Sequence, residues 1–115
     1  MTTVVAAFFA VAAPARADMA LLMFEEPGCV WCLRWTEDVG GEYPVTPEGR
    51  AAPLVRLELG DPVPERFTLA SPPRYSPTFV LVEDGFEVGR IEGYPGEDFF
   101  WGLLGRLLER TAPQS

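Results

Sequence analysis

Two cysteines are the most reactive side chains in this 115-residue chain, and they stand close together as Cys29-Val30-Trp31-Cys32. Four uses of such a pair differ in their demands. A structural zinc ion takes about four ligands. Two cysteines in a chain with no histidine supply half of that set. A structural disulfide across so short a loop removes little chain entropy. Two core thiols at this spacing by accident are a third option. Thiol–disulfide exchange needs only two sulfurs and a helix N-terminus, and the surrounding sequence offers one. Free N–H groups and partial positive charge at that terminus favour a thiolate on the first sulfur and lower its pKa below about 8.5. Cys29 then reads as the attacking nucleophile. Cys32, nearly one turn further in, reads as the thiol that resolves a mixed disulfide. Context and spacing agree on this redox reading. Trp31, between the cysteines, reads as an exposed aromatic that meets a partner, with core packing as the alternative. Trp35 reads as core.

The composition narrows the field further. Seventeen acids against nine bases, all of them arginine, give a net charge of −8. Such a surface repels phosphate backbones, so a nucleic-acid partner is not expected. Without histidine there is no Ser–His–Asp machinery and no histidine metal site. No metal or other cofactor is expected. Apolar residues at 48% and charged residues at 23% fit one folded domain.

The elements that must position the cysteines follow from pattern and turn chemistry. Residues 19–24, Met-Ala-Leu-Leu-Met-Phe, form a nearly continuous apolar run that suits a central strand. Glu25-Glu26-Pro27-Gly28 ends it. A helix is expected from Cys29 to about Val39, with Cys32, Trp35 and Val39 on one face, stopped at Gly40-Gly41. Residues 42–53 carry Pro44, Pro47, Gly49 and Pro53 and read as loop with one short turn of helix. Residues 54–59 alternate apolar and charged, a second strand parallel to the first. A proline-rich stretch follows, in which residues 65–69 are expected to form a short helix. Residues 78–83 and 86–91 read as an antiparallel pair joined by Asp84-Gly85, a type I′ hairpin signal. Residues 97–110 form an amphipathic helix with Phe100, Leu103, Leu104, Leu107 and Leu108 on one stripe. The order is β–α–β, then a hairpin, then α. Pro77 stands at the start of the third strand, where proline is sterically permitted in any case.

The two ends differ from this domain, which spans residues 18–110. Ten apolar residues from Val4 to Ala13, then Pro14 and Ala15-Arg16-Ala17, read as a secretory signal removed after Ala17. The run is too short to cross a bilayer as a helix. No Lys or Arg precedes it, which leaves a folded segment as the alternative. Residues 111–115 are expected to fray.

A resemblance adds to this reading. From Met19 to Leu108 the chain resembles the thioredoxin-like superfamily. The likeness rests on the strand into Cys29-Val30-Trp31-Cys32, on Pro77-Thr78-Phe79 opening a strand, on the Asp84-Gly85 hairpin, on Gly93 and on the last helix. It implies an α/β fold with a mixed four-stranded sheet and helices on both faces. It implies that Pro77 is cis and lies against the cysteines, and that Ser76 pairs its backbone with an extended substrate. Narrower likenesses are Phe24-Glu25-x-Pro27-Gly28-Cys29-x-Trp31-Cys32-Leu33-Arg34-Trp35 and Tyr43-Pro44-x-Thr46-x-Glu48-Gly49-Arg50-Ala51-Ala52-Pro53-Leu54. These are similar to SoxS-type proteins, periplasmic thioredoxin-like proteins of the bacterial sulfur-oxidation (Sox) system. That resemblance implies a protein that keeps the cysteine of the sulfur carrier SoxY usable. In the periplasm it implies electrons from a membrane thiol carrier. One departure stands out: Met23 occupies the place of the buried aspartate that thioredoxins carry six residues before the first cysteine. Glu25 and Glu26 are the remaining acids near the motif for deprotonating Cys32, unless they form only a solvated turn. The same acids oppose a low pKa at Cys29.

The expected function is therefore a periplasmic thiol–disulfide oxidoreductase acting on a protein disulfide or mixed disulfide. The alternatives are a binding module whose Cys-x-x-Cys is structural, a general periplasmic disulfide oxidase or isomerase, and a cluster-bridged dimer in which two chains supply four thiolates.

Overall fold

The computed structural model describes residues 2–4 and 18–111. The expected signal segment therefore lies almost wholly outside the described residues, as does the tail beyond Thr111. Four strands form one mixed sheet: β1 (Met19–Glu25), β2 (Leu54–Glu58), β3 (Thr78–Glu83) and β4 (Phe86–Glu92). Their order in space is β2-β1-β3-β4. β1 runs parallel to β2 and antiparallel to β3, with Leu22 opposite Val55 on one side and Val80 on the other. A strand flanked on both sides and covered on both faces must be apolar throughout. Accordingly Leu21, Leu22, Met23 and Phe24 are all buried.

Asp84 and Gly85 both take positive φ, 52° and 86°, as a type I′ hairpin requires. β3 and β4 pair through it, with a bulge between Leu81 and Val82.

Among the described residues three α-helices accompany the sheet: α1 (Val30–Trp35), α2 (Pro47–Ala51) and α3 (Glu97–Glu109). The helix expected over residues 29–39 is regular only to Trp35 and widens into a π-helical turn at Thr36–Gly40. Thr36 Oγ1 donates to the carbonyl of Cys32, one turn back. Val39 stays buried in the wider turn, while Asp38 accepts a hydrogen bond of 2.8 Å from the Tyr94 hydroxyl. Hydrophobic spacing carries no signal for such a widening. The stretch expected as loop with one short turn of helix contains that turn, α2, and a second one before it. Tyr43–Val45 form a 3₁₀ turn, and Thr46 caps α2 through its side chain. In α3, Phe100, Leu104 and Leu107 are buried, and Leu103 lies at the edge of the stripe, exposed. Thr111 is tied back to Leu108 through both its N–H and its hydroxyl.

The core has two parts, one on each face of the sheet. On the first face, Trp35 is fully buried among Tyr43, Phe79 and Phe100, with ring centroids 5.2–6.0 Å away. Residues of α1, the π-helical turn and α3 all join this cluster. On the second face, Leu22, Phe24, Val80 and Val82 are covered by Val63, Phe67 and Leu69. The expectation of helices on both faces is corrected here. Among the described residues no helix covers the second face. The short helix expected at residues 65–69 is likewise absent. Phe67 N–H closes a turn onto Pro64, then Thr68 pairs its backbone with Gly85 and Glu87. β4 offers Thr68 its free backbone instead.

Candidate functional site

The cysteines sit where β1 gives way to α1. Pro27 and Gly28 make the turn between them, Gly28 at φ 76°, and the Cys29 N–H closes it on the Glu26 carbonyl. Proline followed by a residue at positive φ is the chemistry of a type II turn. The turn places Cys29 at the N-cap of α1. Its sulfur accepts the backbone N–H of Cys32 at 3.1 Å, so one of the helix's unsatisfied donors is used there. Cys29 and Cys32 are joined as a disulfide. The two sulfurs differ in access: Cys29 is half-buried, whereas Cys32 is only 4% exposed.

The loop before β3 closes over this pair. The Ser76–Pro77 peptide bond is cis, and Pro77 is buried. Gly93 at φ 82° donates its N–H to the Pro77 carbonyl at 2.7 Å, and Thr78 Oγ1 donates to the Tyr75 carbonyl. The loop so held brings Ser76 Oγ to 3.2 Å from Cys32 Sγ. The same oxygen accepts the Glu26 N–H at 3.0 Å. Three separate segments thus meet at one hydroxyl: the β1 turn, α1 and the cis-proline loop.

Trp31 is 57% exposed beside the disulfide, as its place between the cysteines led one to expect, and Trp35 is core. A groove runs along the other side of the cysteines, walled by Glu25, Glu26, Leu33 and Arg56. Glu25 is held there by Arg56 at 2.8 Å, and Arg56 also donates to Thr36 Oγ1 while lying 5.6 Å over the Trp35 ring. Glu25 is therefore paired, whereas Glu26 is exposed. Met23 is fully buried and offers no proton acceptor beneath the pair. Burial, and next the hydrogen bond to Asp38, raise the pKa of Tyr94, whose hydroxyl ties the loop after β4 to the π-helical turn. Among the described residues no group of three or more His, Cys, Asp or Glu is placed to hold a metal ion.

The arrangement brings Cys29, Cys32 and Ser76 together, with Trp31 exposed between the two cysteines in the chain and Pro77 joined to Ser76 by the cis bond. What sequence reasoning missed is the Ser76 hydroxyl, for which only a backbone role was expected, and the Arg56–Glu25–Thr36 knot. Both depend on contacts between distant segments.

The periplasmic thioredoxin SoxS from Paracoccus pantotrophus, in its reduced form, is 53% identical to this chain. The match covers 81% of this chain and 98% of that one, with a TM-score of 0.79. The chain belongs to the SoxS family of thioredoxins. With its paired cysteines it is a thiol–disulfide oxidoreductase. Thioredoxins of Fasciola hepatica and Malassezia sympodialis share the fold at 18% and 15% identity, with TM-scores of 0.54 and 0.52. They cover 77% of this chain and, respectively, 80% and 74% of their own lengths. No family model and no curated protein matches the chain.

Proposed function

We propose that this SoxS-family protein works in the periplasm, where it reduces a protein disulfide or mixed disulfide, and that its target is the sulfur-carrier protein of the Sox system. The observation that carries the chemistry is the asymmetry of the two sulfurs. Cys29 is accessible and receives an N–H bond from the helix terminus, and Cys32 is buried beside it. In the dithiol form the Cys29 thiolate attacks one sulfur of the target disulfide, and the other target sulfur leaves as a thiolate. Cys32 then gives up its proton and attacks Cys29 Sγ. The second target sulfur leaves, and the Cys29–Cys32 disulfide remains. Two electrons have passed to the target. A membrane dithiol carrier returns them by the reverse exchange.

Ser76 and Pro77 supply the backbone edge that an extended substrate chain would meet, and Trp31 supplies an exposed aromatic surface next to the attacked sulfur. Residues 1–17 carry the export signal in this reading. The periplasmic address and the carrier both rest on the likeness to the Paracoccus protein and on the sequence motifs.

The test is a trap. Cys32→Ser expressed in its own periplasm should hold its target on Cys29 as a mixed disulfide, which mass spectrometry names. Capture of the sulfur carrier supports the narrow reading. Capture of many unrelated periplasmic proteins would point to a general disulfide reductase or isomerase. If partners bind equally well to a Cys29→Ser/Cys32→Ser variant, the cysteines are structural and the reading fails.

A further inference from the structure

We infer that the Ser76 hydroxyl is a catalytic residue of the exchange, the hydrogen-bond donor that receives the developing thiolate on Cys32. The inference rests on the proposed use of the disulfide and deepens it by naming the group that answers for the missing buried carboxylate at Met23.

The geometry fixes the direction of the bond. A hydroxyl has one proton to give and lone pairs to receive. Ser76 Oγ already receives the Glu26 N–H at 3.0 Å. Cys32 Sγ, 3.2 Å away, carries no proton in the disulfide and therefore can only accept. The Ser76 proton is thus aimed at sulfur, and the Glu26 N–H polarises the hydroxyl toward giving it. Cys32 is 4% exposed, so water has little access to take over that role. Hydrogen bonds to an ionised partner are stronger than those to a neutral one, and a low local dielectric increases the difference.

The step it serves is the opening of the disulfide. A thiolate of the incoming dithiol attacks the accessible Cys29 Sγ. A new sulfur–sulfur bond forms, the Cys29–Cys32 bond breaks, and its electron pair goes to Cys32 Sγ. Leaving is faster when the departing thiolate is stabilised. Ser76 Oγ–H binds that anion until it takes a proton from solvent. The second thiolate of the dithiol then displaces Cys29, which completes the two-electron reduction. In the forward direction the same bond holds Cys32 ready as the resolving thiolate.

The ionisable groups around the pair are Glu25, Glu26 and Arg56 in the groove on one side, and Tyr75 and Glu92 beside Ser76 on the other. Substitution of Ser76 removes none of these five groups, and Thr, unlike Val, keeps an acceptor for the Glu26 N–H. The experiment compares the full chain with Ser76→Ala and with the isosteric pair Ser76→Thr and Ser76→Val, using dithiothreitol as the dithiol. Opening of the disulfide is read by quenched alkylation, over a range of pH. Loss of the hydroxyl in Ala and Val should slow opening by roughly tenfold, and Thr should restore it. In a Cys29→Ser background, the ultraviolet absorbance of the Cys32 thiolate should move up by about one pH unit on Ser76→Val and stay in place on Ser76→Thr. Should Thr and Val behave alike in both measurements, the hydroxyl has no such role, and the proposed function stands without it. If dithiothreitol never opens the pair in the unaltered protein, it is the proposed function that fails.

Discussion

Glu87 and Arg90 on β4 form a clamp whose removal is expected to loosen the proline-rich loop. The Glu87 carboxylate takes the Arg90 guanidinium in bidentate fashion, at 2.9 Å from Nε and 2.7 Å from Nη2. It also accepts the Ala70 N–H at 2.9 Å, and Arg90 donates to the Ser71 carbonyl at 2.7 Å. The side chains are only 7% and 14% exposed. These contacts hold residues 70 and 71 to the sheet, a few positions before Ser76. Glu87→Gln keeps the shape but loses the charge, and leaves a shielded guanidinium without its anion. The expected cost is about 2 kcal/mol, from one charge-assisted pair with little solvent screening. For a domain of this size that lowers Tm by roughly 10 °C. Arg90, first, and the Ala70 N–H hold the Glu87 carboxyl below its ordinary range. Its ionised form therefore contributes stability in full above the unfolded value of about 4.3, and that contribution is lost as pH falls through the lower folded value. The gap between wild type and Glu87→Gln should be widest above about pH 5 and should close in more acid solution. Urea denaturation across that range measures it. A gap below about 0.5 kcal/mol at neutral pH, or one that stays constant into acid, would refute the clamp.

Four further outcomes are expected. A Cβ at Gly49 would lie 1.7 Å from the Tyr43 carbonyl oxygen, so Gly49→Ala should cost roughly 3 kcal/mol or more. In α3, by contrast, a Cβ at Gly102 or Gly105 meets nothing within 4 Å, and Ala there should add about 0.5–1 kcal/mol each; thermal melts of the three variants give opposite signs. The Tyr43 hydroxyl, fully buried, donates to the Ala52 carbonyl, so Tyr43→Phe should cost about 1–2 kcal/mol in the same melts. In the reduced protein, iodoacetamide should label Cys29 before Cys32, since Cys32 is 4% exposed and Cys29 is half-buried; equal labelling in the folded state would remove the basis for assigning the nucleophile.

Local signals carried much of the architecture. The apolar run of β1, the Asp84-Gly85 turn and the stripe of α3 each depend on neighbours within a few residues, and each appears where its spacing placed it. The π-helical turn at Thr36–Gly40 escaped that logic. The widening is tied to a bond that reaches across the fold, from Tyr94 to Asp38. The absent helix at residues 65–69 has the same origin: Thr68 finds backbone partners on β4 that no local pattern foretells.

For the site, the sequence by itself determined the reactive atoms. Two cysteines at helical spacing, behind Pro27-Gly28 and with no histidine anywhere, leave thiol–disulfide exchange as the chemistry their setting favours. The tertiary structure alone decided what touches the buried sulfur. Ser76 is 44 positions from Cys32, and only the pairing of β1 with β3 and the bond from Gly93 to Pro77 bring its hydroxyl to the sulfur. A hydrogen bond acts over about 3 Å, a distance that sheet register sets and that spacing along the chain does not encode.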